Sequence, residues 1–127
     1  APLKTFIDMD YDGKFDYWQT TGEKGVVKRL ADSDGDGKPD DGGAALIKAR
    51  DAFSRKRYED AIEHYYEALK YYSRCKRAYG EMTVTFLRMK KYPAARRAYQ
   101  SYIELGGNDP AIKEQYAEMK KKLKRQK

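Results

Sequence analysis

Arg57-Tyr58-Glu59-Asp60-Ala61-Ile62 returns as Lys91-Tyr92-Pro93-Ala94-Ala95-Arg96, a step of 34 residues. The same step carries Tyr65 onto Tyr99, and Ala49 onto Thr83 and then Ala117. A fixed period of this length marks a repeated supersecondary unit. From Ala44 onward glycine is scarce and helix formers dominate, so the unit reads as a pair of helices. The breaks place five helices over roughly 43–56, 59–73, 76–90, 93–105 and 110–125. Pro93 opens the fourth, and Gly106-Gly107-Asn108-Asp109-Pro110 closes it and opens the fifth. Ile112, Tyr116, Met119 and Leu123 form one stripe of the last helix, with lysines and arginines on its other face. A helix that closes a stack needs such a polar outer surface.

Tyrosine, alanine three places on and an aromatic four places further, repeated every 34 residues, resembles the tetratricopeptide repeat. The likeness covers residues 43–109, with 110–125 as a cap. It implies a mainly α chain, a helical-hairpin solenoid of two repeats plus a capping helix. Two departures stand out. Ala45 occupies the place of a large aromatic that the second copy has as Tyr79, and Ser73-Arg74-Cys75 stands where a closing proline is usual. The first copy is therefore expected to pack less tightly, or against the segment before it.

The resemblance also implies a protein or peptide partner along the concave face of the first helices. The matching positions are Leu46, Arg50, Phe53 and Arg77, then Gly80, Val84, Leu87 and Arg88, and on the cap Glu118 and Lys121. Guanidinium forks make paired hydrogen bonds to carboxylates, so an acidic or C-terminal peptide is the simplest ligand. The family's carboxylate-clamp pattern is not evident, so chaperone tails are not expected.

The chain has 127 residues, a formal net charge of +7 and a mean hydropathy of −1.00. That charge is divided. Residues 1–43 carry ten acids against six bases, net −4, and residues 44–127 carry twenty-one bases against ten acids, net +11. The shift marks a boundary at Asp41-Gly42-Gly43, between a module at 1–42 and a helical domain at 43–127. Alternatively, the two parts could contact each other: their charges would attract, though calcium in both loops of the head would bring it near neutral. No apolar run approaches the roughly 18–20 residues that cross a bilayer. The first residue is Ala1, which suggests a processed or excised piece.

The acidic head holds one pattern twice. Asp8, Asp10, Asp12 and Asp16 follow D-x-D-x-D-G-x-x-D, and Asp32, Asp34, Asp36 and Asp40 follow it again 24 residues later. A single Asp-Gly cluster is an ordinary polar turn. Four carboxylates within nine residues, present twice, repel one another unless a hard cation lies between them. Alternate residues of a tight loop supply the oxygens calcium needs, and Gly13 and Gly37 allow the wrap. The loops resemble the EF-hand-like aspartate loops of thrombospondin type 3 and dockerin repeats, which implies two Ca²⁺ sites. Gln19 and Gly43 stand where an EF-hand has its closing glutamate, so Asp41, a carbonyl or water would close the shell. Residues 14–19 and 26–30 read as strands of a hairpin turning through 20–25. The head has little apolar surface to bury, so the ion is expected to be structural rather than a switch.

Catalytic chemistry has no constellation to stand on. His64 and Cys75 occur once each, which excludes an internal disulfide framework and a Cys/His zinc centre. Arg74, Lys76 and Arg77 beside Cys75 are of the kind that lowers a thiol pKa, but no histidine or asparagine set accompanies it. The sequence thus reads as a non-enzymatic interaction scaffold with a calcium-bound head. Weak calcium loops fill only where calcium is abundant, so the expected place is extracytoplasmic, periplasmic or secreted. The rival reading is a basic adaptor for nucleic acid or an anionic membrane surface.

Overall fold

The computed structural model describes residues 3–7, 17–22, 25–33, 38 and 40–125. The chain is mainly helical, with a small antiparallel sheet at its N-terminal side. Strands β1 (Leu3–Ile7), β2 (Tyr17–Gly22) and β3 (Gly25–Ala31) lie in that order, with Phe6 opposite Trp18 and Trp18 opposite Leu30. The expected hairpin is present but shifted, and β1 joins it as a third strand that the sequence reading missed. Thr20 and Thr21, read as a turn, lie within β2, where β-branched side chains suit the pleat. The pairing register slips between them.

Five helices follow: α1 (Asp41–Ser54), α2 (Tyr58–Tyr71), α3 (Lys76–Arg88), α4 (Tyr92–Glu104) and α5 (Pro110–Arg125). Three-residue turns join α1 to α2 and α3 to α4, and each pair packs as a helical hairpin. α2 rests on α3, and α5 rests on α3. Small side chains line the contacts: Ala45, Ala49 and Ala52 of α1 and Ala61 and Ala68 of α2 are buried around Tyr65. Ile112, Tyr116 and Met119 of α5 are buried as expected, and the lysines of its other face are exposed.

The 34-residue step is visible in the backbone. Lys56 and Lys90 both adopt left-handed φ values, 62° and 60°. Arg57 N donates to Ala52 O and Lys91 N to Phe86 O, each at 2.9 Å, while Lys56 N and Lys90 N reach the carbonyls of Phe53 and Leu87. These paired bonds are Schellman caps, and they end α1 and α3 at equivalent places.

Asp41-Gly42-Gly43, where the composition shifts, lies within a helix. It is the first turn of α1, capped by Asp40, whose carboxylate accepts from Gly43 N. Both glycines are buried, and a Cβ on Gly43 would fall on the carbonyl oxygen of Ala31. Only glycine lets the start of the helix abut the end of β3. The head and the helices therefore meet in a tight joint at the composition boundary.

Candidate binding groove

Two carboxylates, Asp51 and Glu81, organise the surface between the sheet and the helices. Asp51 of α1 accepts both Nη groups of Arg29 on β3, at 2.7 Å each. The paired hydrogen bonds hold the Asp51 carboxyl below its usual range and push the Arg29 guanidinium up. The head and tail thus meet through a base of the acidic part and an acid of the basic part, opposite to the signs of their net charges. Arg50, one residue earlier on α1, lies over the Tyr17 ring at 5.2 Å.

Glu81 on α3 ties three helices together. It accepts from Tyr65 Oη at 3.1 Å and Arg77 Nε at 2.9 Å, and Arg50 Nε approaches to 3.5 Å. Burial first, then the Glu81 carboxylate, pushes the Tyr65 hydroxyl pKa far up, so this phenol stays a donor at any ordinary pH. Between these groups lies a cleft of about 550 Å³. Tyr17, Gln19 and Arg29 wall it from the sheet, and Arg50, Phe53 and Glu81 from the helices.

The positions assigned to the partner face divide. Leu46 is fully buried, Gly80 is buried against Tyr102 and Ile112, and Arg77 is 5% exposed beside Glu81. These three are interior groups and cannot meet a partner in this conformation. The reason for Leu46 is that α1 has α2 on one side and β3 on another, so its buried arc is wide. Arg50, Phe53, Val84 and Leu87 are half-buried, and Arg88, Glu118 and Lys121 are exposed. Tyr17, Gln19 and Arg29 were missed. No repeat pattern points to them, because they come from the sheet.

The first aspartate set, Asp8, Asp10, Asp12 and Asp16, lies outside the described residues, as do Asp34 and Asp36. Asp32 is buried at the end of β3. The Asp40 carboxylate accepts from Ser33 N, from Ser33 Oγ at 2.7 Å and from Gly43 N at 2.6 Å. Oδ1 takes part in all of these, whereas among the described residues Oδ2 accepts from Ser33 N only. Asp40 is therefore a turn-bracing helix cap. Among the described residues no group of three or more candidate metal ligands converges. Asp41, considered for closing the shell, is exposed in the first turn of α1.

The single thiol and imidazole lie apart from the cleft. Cys75 is buried, and desolvation pushes its pKa up to about 12, overriding the basic neighbours expected to lower it. His64 Nδ1 lies 3.1 Å from Glu67 Oε2 in a surface pair one turn apart on α2. Among the described residues no helix is long and apolar enough to cross a membrane. No protein-family model and none of the curated proteins searched matches the chain.

Proposed function

We propose that this chain is a non-enzymatic binding module, two helical repeats of the tetratricopeptide type with a capping helix, whose head is braced by calcium. The cleft between sheet and helices carries the reading. It is a concave site with aromatic walls and a few placed polar groups, the usual form of a recognition site. The equivalent caps at Lys56 and Lys90 support a repeat array.

The partner is an extended protein segment ending in, or containing, carboxylates. Arg50 and Arg77 share Glu81, so the acidic anchor falls to Arg88 and Lys121, which do not line the cleft, with Phe53 of the cleft and then Val84 and Leu87 as apolar contacts along the helices. Calcium would be held by Asp32, Asp34 and Asp36, with one oxygen of Asp40, and by Asp8, Asp10, Asp12 and Asp16 in the first loop. The ion would neutralise carboxylates that otherwise repel, and so add folding free energy to a small sheet. An extracytoplasmic setting with abundant calcium fits such loops.

Panning a peptide library with free C-termini against the full chain in calcium tests the reading. Enrichment of acidic C-terminal sequences, lost in Arg88→Glu, is expected. In parallel, calcium titration should change Trp18 emission and raise the melting temperature. A library that yields no sequence preference overturns the partner assignment, and a flat calcium titration overturns the metal assignment.

A further inference from the structure

The alternating helices gather many of the tail's cations at one end of the bundle. α1, α3 and α5 run the same way, so their C-termini share that end, and the turns into α2 and α4 lie there too. The two turns adjoin, since Lys56, Arg57 and Tyr58 line one notch with Met89 and Lys91. Leu87 and Arg88 of α3 likewise share a groove with Lys122 and Leu123 of α5. Arg55, Lys56, Arg57, Lys90 and Lys91 are all exposed, and so are the lysines of the last turns of α5. The acids of this end, Glu59, Asp60 and Glu118, are few beside them. Asp40 and Asp41 sit at the opposite end, where α1 begins. Fourteen residues of helix separate the two ends by about 21 Å at 1.5 Å per residue. That is more than two Debye lengths at physiological salt, so Asp40 and Asp41 do not oppose an anion at the basic end.

We propose that this blunt basic end seats the protein on an anionic lipid surface. Clustered lysine and arginine of this number bind acidic headgroups, and the clustering here is across the ends of packed helices rather than along a groove. A nucleic acid strand asks for a track and exposed rings for stacking. The rings at this end are not offered: Tyr58 and Tyr92 are half-buried, and Tyr58 packs edge-on against Phe53 at 5.4 Å. The exposed Tyr71 lies at the other end of α2. Half-buried Met89 and Leu123 sit among the cations, where a headgroup layer accepts apolar stems. Seated this way, the molecule leaves the start of α1, with Asp40 and Asp41, facing away from the lipid, and Arg88 and Lys121 lie in the lipid-facing end, so lipid and peptide compete for them.

Co-sedimentation of the full chain with vesicles tests the proposal. The protein should pellet with vesicles containing about a third phosphatidylglycerol and stay in solution with pure phosphatidylcholine. Raising NaCl from roughly 0.1 to 0.5 M should release it at least about tenfold. Lys56→Asn/Lys90→Asn removes two charges where asparagine tolerates the left-handed backbone, and should weaken binding about fivefold or more. Lys121→Gln/Lys124→Gln should act likewise without touching the turns. Lys70→Gln/Arg74→Gln removes equal charge from the opposite end and should change binding less than about twofold. Equal binding to neutral vesicles, no binding to anionic ones, or an equal loss in the opposite-end variant overturns the proposal. So does displacement from vesicles by a short oligonucleotide at lower phosphate concentration, or salt-sensitive oligomers of the chain in place of vesicle binding.

Discussion

Arg29 on β3 and Asp51 on α1 meet fork to fork, Nη1 to Oδ1 and Nη2 to Oδ2, both at 2.7 Å. This pair and the Gly43–Ala31 contact hold the sheet to the first helix at separated points. Both partners of the pair are more than a third exposed, so its contribution is small, about 0.2–1 kcal/mol. Asp51→Asn should leave the melting temperature nearly unchanged and raise amide exchange in β3 selectively. The Asp51 carboxyl is held below its ordinary value, chiefly by the hydrogen bonds from Arg29. The contribution is therefore present above the unfolded value of about 3.9 and is lost as pH falls through the lower folded one. Exchange in β3 should rise over that acid range in the native chain and not in the variant.

Glu81→Gln should be far more costly. It keeps an acceptor for Tyr65 but leaves the buried Arg77 guanidinium without the carboxylate it faces. A loss of about 2–3 kcal/mol is expected, given the partial exposure of Glu81. Denaturant unfolding reads it as a lower midpoint with an unchanged slope.

Gly80→Ala tests the packing of α5. A Cβ there would stand 2.7 Å from Tyr102 Cε1 and 2.9 Å from Ile112 Cδ1. Ring and aliphatic chain must both shift, costing about 1–3 kcal/mol. The stack of Tyr99 on Tyr116, centroids 3.9 Å apart, should loosen with it, visible in the near-ultraviolet circular dichroism.

Lys56→Gly and Lys90→Gly should each stabilise the chain by about 0.5–1 kcal/mol, because both lysines hold a left-handed backbone that glycine adopts without strain. The two gains should add in thermal melts.

Cys75 should react with a thiol reagent at neutral pH only as fast as the fold opens, since burial pushes its pKa up to about 12. Labelling in denaturant should be immediate. Rapid labelling of the native protein would show that α3 does not begin as described.

The helices were legible because their signals are local and chemical. Pro93 sets the start of α4, and the left-handed Gly106 ends it. The sheet was less so. Leu3–Ile7 is a short run with no turn signal of its own, and it becomes a strand only by pairing with β2. Gly42 and Gly43 read as a domain boundary because glycine is the usual punctuation between units. Here the missing side chain serves contact with Ala31 and Ser33, which no sequence window contains. The groove was half visible for the same reason. The repeat phase pointed to Arg50 and Phe53, but it could not reveal that Tyr17 and Arg29 cross from the sheet to wall the same cleft.

The abutment of Gly43 on Ala31 has a mechanical corollary. With no side chain between them, the strand end and the helix start have no room to slide, and Asp40 pins Ser33 across the same joint. A pull on the N-terminal strands would be delivered to α1 as torque at its first turn, and through α1 to the cleft.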